Sequence, residues 1–420
     1  MPKLWLLKDD RTVVRGGAGL SYDPAGGFLN ITINSIHSPP IVRNGTFFVP
    51  SSLRGFPNAY PNALPILQHL AEAGDITTQF QTSIEPGFRA PKAEHYSLGI
   101  QRELPAANVL SVMYVGSRGL GLYQSLDGNP FLPETGARLF PQEGQRRIRS
   151  NASASTYHSL QLQWQKRFDN NLAAVASYAF SKSIDDASEI FDAASSAFAQ
   201  DPFNRRLDRG LSAFHRKHVL TIHYIYQPPV LEWHRFKKVG WSLKQLTRDW
   251  QISGISNFVS GQPFTIRNGW DSNYDQPPFY SANDRPDLGN PEAHEQSVAL
   301  SADLYGVFSP TGFIDANYNP VDPKEVRFVQ VVDGIGNSSR SALFADGITN
   351  FNLGVFRNWK VRSLRKDWIV QLQTQIANLF NTRDYGGFPD ATIGSKTFLN
   401  YGETTLGNSR DILFGLKIIF

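Results

Sequence analysis

Arg410-Asp-Ile-Leu-Phe-Gly-Leu-Lys-Ile-Ile-Phe420, the stretch that closes the chain, alternates with a period of two. One face of a strand over these residues would be wholly apolar: Ile412, Phe414, Leu416, Ile418 and Phe420. The other face is mixed and includes Asp411, Gly415 and Lys417. Because successive side chains of a strand point to opposite sides, this pattern suits a strand between hydrocarbon and a wet lumen. The stretch predicts the last strand of a membrane β-barrel.

The composition favours strands and turns over helices. Aromatic residues make up 12% of the 420 residues, and there are 34 glycines and 26 prolines. No run approaches the roughly eighteen apolar residues of a transmembrane helix. A mean hydropathy of -0.31 is compatible with a barrel, whose alternating strands average out. The absence of cysteine excludes disulfides, thiolate metal sites and thiol nucleophiles, and a net charge of +4 gives no reason to expect nucleic acid as a partner.

Alternating segments recur along the whole chain. The predicted strands cover 12–22, 28–36, 94–103, 108–116, 157–168, 172–181, 217–227, 249–260, 349–360, 367–379 and 410–420. Short connections follow Tyr22, Glu103, Phe168, Gln227 and Lys360. Long connections lie at about 37–93, 117–156, 182–216, 261–348 and 380–409. Eleven strands joined by connections of alternately short and long length are typical of a barrel with short periplasmic turns and long extracellular loops. A soluble sandwich has no reason to sort its loops by length.

Polar side chains occupy one face of two predicted strands. They are Gln161, Gln163, Gln165 and Arg167 in one, and Gln371, Gln373 and Gln375 in the other. Leu160, Leu162 and Trp164 lie on the opposite face of the first strand and need an apolar neighbour. The polar residues are therefore predicted to face the lumen, where they either contact a ligand or simply keep the lumen hydrated.

Aromatic residues cluster near the ends of the predicted strands. They are Tyr114, Phe168, Phe180, Tyr226, Trp250, Trp359, Trp368 and Phe420. In a membrane barrel such residues form girdles at the two membrane–water interfaces. In a soluble sheet they would instead be ordinary cross-strand packing pairs. The girdle is the favoured interpretation.

Motifs for bond chemistry or cofactors are weak. His215 and His218, with Asp208 nearby, lack a strong metal-ligand spacing. Asp185, Asp186 and Glu189 lack the alternating oxygen ligands of a calcium loop. Gly16-Gly-Ala-Gly19 falls short of a dinucleotide fingerprint, and no Gly-x-Ser-x-Gly elbow occurs. We expect no catalytic residue, no metal and no cofactor.

Six stretches together resemble the C-terminal half of a TonB-dependent receptor barrel in the Oar-like branch. They are Val14-Arg-Gly-Gly-Ala-Gly-Leu-Ser-Tyr-Asp23, Tyr157-His-Ser-Leu-Gln-Leu-Gln-Trp-Gln-Lys-Arg-Phe168, Ser177-Tyr-Ala-Phe-Ser-Lys-Ser-Ile-Asp-Asp186, Ser260-Gly-Gln-Pro-Phe264, Asn378-Leu-Phe-Asn381 and Phe414-Gly-Leu-Lys-Ile-Ile-Phe420. The resemblance implies an antiparallel barrel of 22 strands with a plugged lumen, of which this chain would supply about half. It also implies energy-coupled uptake of a nutrient across the outer membrane of a Gram-negative-type bacterium.

The same resemblance implies the partners. The barrel would contact outer-membrane lipid and would reach the inner-membrane TonB energy complex through a plug domain. Phe414, Leu416, Ile418 and Phe420 would be the C-terminal signal read by the barrel-assembly machinery. Met1–Asp10 does not look like an export signal, and the plug, the TonB box and the first half of the barrel are not recognisable. We therefore expect a fragment of a receptor that does not transport on its own.

Two alternatives stay open at this point. One is a soluble or surface-attached β-sandwich that binds glycans through its aromatic loops. The other is a small, self-contained porin, against which the odd number of predicted strands stands.

Overall fold

A computed structural model describes residues 10–23, 81–132, 134–144, 146–169, 171–188, 198–230, 247–274, 284–362, 367–385, 387–402 and 409–419. Strands and two short 3₁₀ helices, Arg205–Asp208 and Pro323–Glu325, make up the regular structure of these ranges. Across the same ranges, no helix combines the length and the apolar character needed to cross a membrane. The fold class is all-β, as the sequence predicts.

A twelve-stranded sheet dominates the structure. Ten of its strands follow one another in chain order: β1 Thr12–Tyr22, β2 Lys92–Leu104, β3 Asn108–Asp127, β4 Arg146–Asp169, β5 Leu172–Asp185, β6 His218–Tyr226, β7 Trp250–Val259, β8 Ile348–Arg362, β9 Asp367–Ala377 and β10 Asp411–Ile419. Each is antiparallel to the next. Two short strands join off this path, Gln81–Ile84 parallel to β4 and Gly210–Leu211 antiparallel to β5.

The two faces of this sheet differ in chemistry, because paired residues of an antiparallel ladder lie on the same face. One row across β1 to β5 is Val14, Ile100, Val112, Leu162 and Tyr178. A neighbouring row on the opposite face is Val13, Gln101, Ser111, Gln163 and Ser177. On the apolar face, Leu98 and Phe414 expose 61% and 72% of their surface. A sandwich would bury such side chains between two sheets, so the sandwich alternative is wrong.

The number of strands in the ladder corrects one prediction. The predicted strand over 28–36 lies outside the described residues. No strand separates β1 from β2, which pair directly from Thr12 with Arg102 to Tyr22 with Lys92. The described ladder therefore has ten strands rather than eleven, and the first long connection follows β1. The predicted alternation of short and long connections is not strict, because the connection 227–249 between β6 and β7 is longer than the connection 128–145 between β3 and β4.

The prediction of a loop over 117–156 is wrong for much of that range. β3 continues to Asp127 and β4 begins at Arg146, so the two strands form a hairpin well beyond the predicted ends. Simple alternation is missing there because Gln124, Ser125 and Arg149 are buried polar side chains rather than members of a lipid face. Arg149 donates a hydrogen bond through Nη1 to Oγ of Ser125. β5 likewise extends four residues past its predicted end, to Asp185.

The described parts of two predicted loops, 261–348 and 117–156, contain regular structure. Short strands pair within them: Pro263–Phe264 with Leu343–Phe344, and Asp287–Leu288, Val298–Ser301, Phe313–Ile314 and Phe328–Val329 in a second small sheet. A further hairpin joins Phe131–Leu132 to Ala137–Arg138. We call residues 261–274, 284–347, 378–385 and 387–402 the cap.

The cap contains the apolar core of the described residues. Its members are Phe264, Ile266, Val298, Leu300, Ala302, Ile314, Phe328, Leu343, Ala345, Ala391, Ile393 and Phe398. The large sheet cannot provide such a core, because one of its faces is polar and the other is open. The long connections are where this chain buries apolar surface, so they hold a fixed shape at the end of the sheet.

Candidate functional site

The polar residues predicted to face a lumen lie together on one face of the sheet. Gln163 pairs with Ser111 and Ser177, and Gln371 pairs with Asn358 and Lys417. Gln161 and Gln165 flank Gln163 at the period of two, and Gln373 and Gln375 follow Gln371 in the same way. Arg167 continues the first series next to an irregularity in the ladder between Lys166 and Asp169. The sheet thus combines both polar series on the face opposite to Leu162.

Part of this polar face retains unused hydrogen-bonding capacity. Gln371 donates through Nε2 to Oδ1 of Asn358 at 2.9 Å, and Gln163 donates through Nε2 to Oγ of Ser177 at 3.5 Å. Gln165 and Gln375 make no side-chain hydrogen bond to the described residues. They line a shallow cavity of about 790 Å³ together with His223, Asn352 and Phe356. The two predicted strands therefore contribute to one cavity, which sequence spacing alone could not show.

The aromatic residues predicted to form girdles lie near both ends of the ladder. Phe180 pairs with His218 at one end of the β5–β6 ladder, and Tyr226 pairs with Leu172 at the other. Tyr114, in the row of Phe180, has its Oη 2.6 Å from Nδ1 of His158. This hydrogen bond suits a side chain with an apolar body and a wet tip.

The opposite end of the sheet carries tryptophans. The guanidinium of Arg357 lies 5.2 Å from the ring centroid of Trp250 and 4.9 Å from that of Trp359. Phe168 and Trp368 are exposed near the same end. Trp164, which the girdle prediction omits, also lies on the apolar face and donates through Nε1 to Oδ1 of Asn108 at 3.1 Å.

The last strand is placed as its alternation predicts. Ile412, Phe414, Leu416 and Ile418 pair with Ile376, Thr374, Leu372 and Val370 of β9. They share the apolar face, and all four are exposed in the sheet. Phe420 lies outside the described residues. As the last strand of the ladder, β10 pairs with β9 on one side, and no described strand lies on its other side.

The residues considered as metal ligands have separate partners. Asp208 forms an ion pair with Arg285, and His218 has its Nδ1 2.8 Å from Oη of Tyr178. His215 accepts through Nδ1 from the backbone N–H of Ser183 at 3.3 Å. Burial lowers the pKa of His215, and the charges of Lys182 and Lys217 lower it further. The structure therefore assigns these side chains to holding the connection after β5 rather than to a common site.

Buried ion pairs fasten the cap to that connection. Arg340 donates through Nη2 to the carboxylate and the backbone carbonyl of Asp185, and through Nη1 to Oγ of Ser188 at 3.1 Å. Arg285 donates to Oδ1 of Asp208 at 2.8 Å. Each pair joins segments far apart in the chain, which is why no sequence motif announces them.

Taken together, the ten-stranded antiparallel ladder and its opposite polar and apolar faces define a membrane β-barrel protein. The chain belongs to the family of outer membrane β-barrel domains, whose family model matches residues 5–412. Its location is the outer membrane. No curated protein matches the chain.

Several solved structures are similar over part of their length. The outer membrane transporter YddB from Escherichia coli is 8% identical, with a TM-score of 0.46 over 97% of this chain and 38% of that one. The FrpB iron transporter from Neisseria meningitidis is 13% identical, with a TM-score of 0.34 over 80% of this chain and 32% of that one. The siderophore receptor PiuA from Acinetobacter baumannii is 8% identical, with a TM-score of 0.36 over 78% and 28%. The chain spans well under half the length of each of these proteins.

Proposed function

We propose that the chain is part of a TonB-dependent receptor of the Oar-like branch, which takes up a nutrient across the outer membrane by energy coupling. The observation that carries this proposal is the ten-stranded ladder with a polar face that gathers Gln165 and Gln375 around one cavity. A polar inner wall is what a plugged, ligand-passing barrel needs. Its glutamines would contact the plug and the passing ligand. The protein would carry out no bond chemistry.

The edges of the ladder support the idea that further strands complete the barrel. Among the described residues, β1 and β10 do not pair with each other. In lipid each unsatisfied backbone group costs several kcal/mol, so an open ladder would not persist there. A barrel of 22 strands would need about twelve strands besides these ten. We expect the chain alone to aggregate rather than to transport.

The partners follow from the same proposal. The exposed apolar face, with Leu98 and Phe414, would contact outer-membrane lipid. Phe414, Leu416 and Ile418, with Phe420, would be read by the barrel-assembly machinery. Coupling to the inner-membrane TonB complex would pass through a plug domain, and the extracellular cap would meet the nutrient first.

A nutrient-depletion experiment in the native bacterium tests the proposal. Spent medium is compared between the wild type, a strain without this protein and a strain without TonB. The expected result is a compound that only the wild type removes, because both deletions abolish its uptake. Removal of that compound by the strain without TonB would contradict energy-coupled uptake.

A self-contained porin is the second candidate, because the even number of strands in the described ladder removes the objection that the odd predicted number raised. Ten is an even number, as bacterial outer-membrane barrels require. The two candidates differ in their outcomes. A porin would be recovered from the chain alone as a folded monomer whose migration changes on heating, and its uptake would not depend on TonB.

A further inference from the structure

A second cavity, of about 580 Å³, lies in the cap where three stretches of chain meet. Residues 263–267, 340–341 and 388–402 contribute most of its wall. This volume is within the range of about 300–1,000 Å³ that ligand sites occupy. The cavity is separate from the one lined by Gln165 and Gln375, since the two share no residue.

Aromatic rings form much of the apolar wall. Phe264 is buried and Phe388 is exposed, and their ring centroids lie 6.2 Å apart at an interplanar angle of 46°. Tyr401 contributes a third ring, which stacks on Tyr385 at 4.5 Å and 20°. Large ring faces of this kind bind apolar C–H groups, because the face of an aromatic ring is its electronegative side.

The cavity is held in shape before any ligand arrives. Oη of Tyr401 accepts a hydrogen bond from the backbone N–H of Asp346 at 2.6 Å. The segment 390–400 is closed by hydrogen bonds from N–H of Asp390 to the carbonyl of Asn400, at 3.0 Å, and from N–H of Leu399 to the carbonyl of Asp390, at 2.7 Å. A preformed wall reduces the conformational entropy lost on binding.

Several polar groups of the wall have hydrogen-bonding capacity left. Within the described part of the chain, neither the guanidinium of Arg267 nor the side-chain amide of Asn400 makes a hydrogen bond. The hydroxyl of Tyr401 accepts from Asp346 and keeps its own O–H available as a donor. The wall thus offers guanidinium and hydroxyl donors, together with an amide that both donates and accepts.

The charges of the wall are balanced. Arg340 is paired with Asp185. Arg267 and Asp390 both line the cavity, so their opposite charges offset each other. Burial raises the pKa of Asp390, but hydrogen bonds from Ser395, Thr392 and Thr397, together with the charge of Arg267, lower it below its usual value. An anion site needs an excess of cationic charge, and the two arginines of this wall are offset by Asp390 and by the Asp185 partner of Arg340.

We propose that the cap cavity binds an uncharged saccharide unit. Each sugar hydroxyl both donates and accepts, which matches Arg267, Asn400 and Tyr401, and the C–H face of a sugar ring matches the ring of Phe264 or Phe388. The inference rests on the proposed uptake function, since it names the class of nutrient that the receptor would recognise. The cap then selects the ligand, and the polar face of the sheet lies beyond it.

A glycan array tests the saccharide inference directly. Full-length protein extracted from the native outer membrane is applied in detergent to an array of neutral and acidic oligosaccharides. We expect binding to neutral glycans, with affinity reduced at least tenfold by Asn400→Ala and by Tyr401→Ala. Asn400→Ala is informative even if Tyr401→Ala disturbs the cap, because Asn400 is exposed and its side chain supports nothing else in the described structure. Binding to acidic glycans alone, binding to none, or unchanged affinity in Asn400→Ala would overturn the proposal.

Phe308→Ala provides the matched control. Phe308 is an aromatic residue of the cap with 95% of its surface exposed, and it lies outside the cavity. Its replacement is expected to leave glycan binding unchanged. The array needs neither TonB nor a membrane, so its result is independent of the depletion experiment. Glycan binding without TonB-dependent uptake would contradict only the transport proposal. Uptake of a compound that is not a sugar would contradict only the proposal that the cap cavity binds a saccharide.

Discussion

Arg285 and Asp208 form an ion pair in which Nη1 lies 2.8 Å from Oδ1 and the two side chains expose only 5% and 3% of their surface. Arg285 also donates through Nε to the carbonyl of Ser338 at 3.0 Å and through Nη2 to that of Leu207 at 3.2 Å. Burial raises the pKa of Asp208, although the charge of Arg285 opposes the shift. This pair connects the segment after β5 to the cap.

Breaking this pair is expected to loosen the cap. Arg285→Ala leaves the Asp208 carboxylate buried without its partner, which typically costs about 3–5 kcal/mol. The urea concentration at which trypsin cleaves the surface-exposed connections should fall accordingly. Arg248→Ala is the control, because Arg248 and Asp249 form an exposed pair of the kind that is worth about 0–1 kcal/mol. Equal urea midpoints for the two variants would contradict the structural role of Arg285.

Gly336 is expected to tolerate no side chain. A Cβ at this position would lie 1.9 Å from the carbonyl oxygen of Arg285 and 2.7 Å from the carbonyl carbon of Pro286. Both atoms are backbone, so Gly336→Ala must separate two chain segments beside the buried ion pair. We expect loss of protease resistance as large as in Arg285→Ala. Gly19→Ala is the control, since a Cβ there meets nothing within 4 Å; a cap unaffected by Gly336→Ala would refute the packing.

Asp127, at the end of β3 in the region outside the membrane, should make the stability of that region depend on pH. Burial raises its pKa to about 6, partly opposed by the backbone hydrogen bond from Asn129 and the charge of Arg138. The folded state then holds a proton that the unfolded state has already lost. The contribution of Asp127 is therefore fully present below about pH 4 and is lost as the pH rises through 6, by up to roughly 3 kcal/mol.

Asp127→Asn is the variant that isolates this effect. The asparagine keeps an oxygen that can accept from N–H of Asn129, now 2.9 Å from Oδ1 of Asp127, but it cannot titrate. The urea midpoint at pH 4 minus the urea midpoint at pH 7 should be lower in the variant than in the wild type, because the variant lacks the stabilisation at low pH. Asp315 should contribute with the opposite sign and in a lower pH range: burial raises its pKa, but hydrogen bonds from Asn319 and Asn317 lower it overall. Its stabilising contribution is therefore present above about pH 4 and is lost as the pH falls further. Identical pH profiles for wild type and Asp127→Asn would contradict the prediction.

The large sheet could be predicted from the sequence because each of its faces meets one uniform environment. Where one face meets lipid, residues such as Leu160 and Leu162 must alternate with Gln161 and Gln163, and period two becomes visible. The part of the β3–β4 hairpin over residues 122–127 and 146–153 lacks this alternation, since its faces meet other protein segments. Gln124 and Arg149 are buried there as polar side chains, so the sequence pattern predicts a loop instead of a strand.

The cap and its cavity could not be predicted for a different reason. Phe264, Phe388 and Tyr401 are brought together by contacts between distant segments, and strands of two residues leave no periodic pattern. The sequence signal for a core is modest: Phe264, Ile266, Leu300 and Ile314 are isolated apolar residues within the long connection 261–348. The Ser260–Phe264 motif marked the entry to the cap but not its core.

The two faces of β4 give the most direct test of the membrane arrangement, because the same substitution can be made at adjacent positions. Leu162 lies on the apolar face, in register with Val112 and Tyr178, and Gln163 lies on the polar face, in register with Ser111 and Ser177. Leu162→Arg places a charge toward lipid, which costs about 2–4 kcal/mol near the middle of the bilayer. Gln163→Arg places the same charge in the proposed lumen, where water solvates it.

We expect Leu162→Arg to reduce the amount of folded protein in the outer membrane several-fold and Gln163→Arg to leave it close to the wild-type level. The measurement is the heat-modifiable fraction on gels of outer-membrane preparations, since a folded barrel migrates differently before boiling. Both variants add one arginine to the same strand, so differences in net charge or expression cannot explain a contrast between them. The reverse order of the two variants would mean that the faces are assigned the wrong way round, because a one-residue change of register moves every side chain of a strand to the other face.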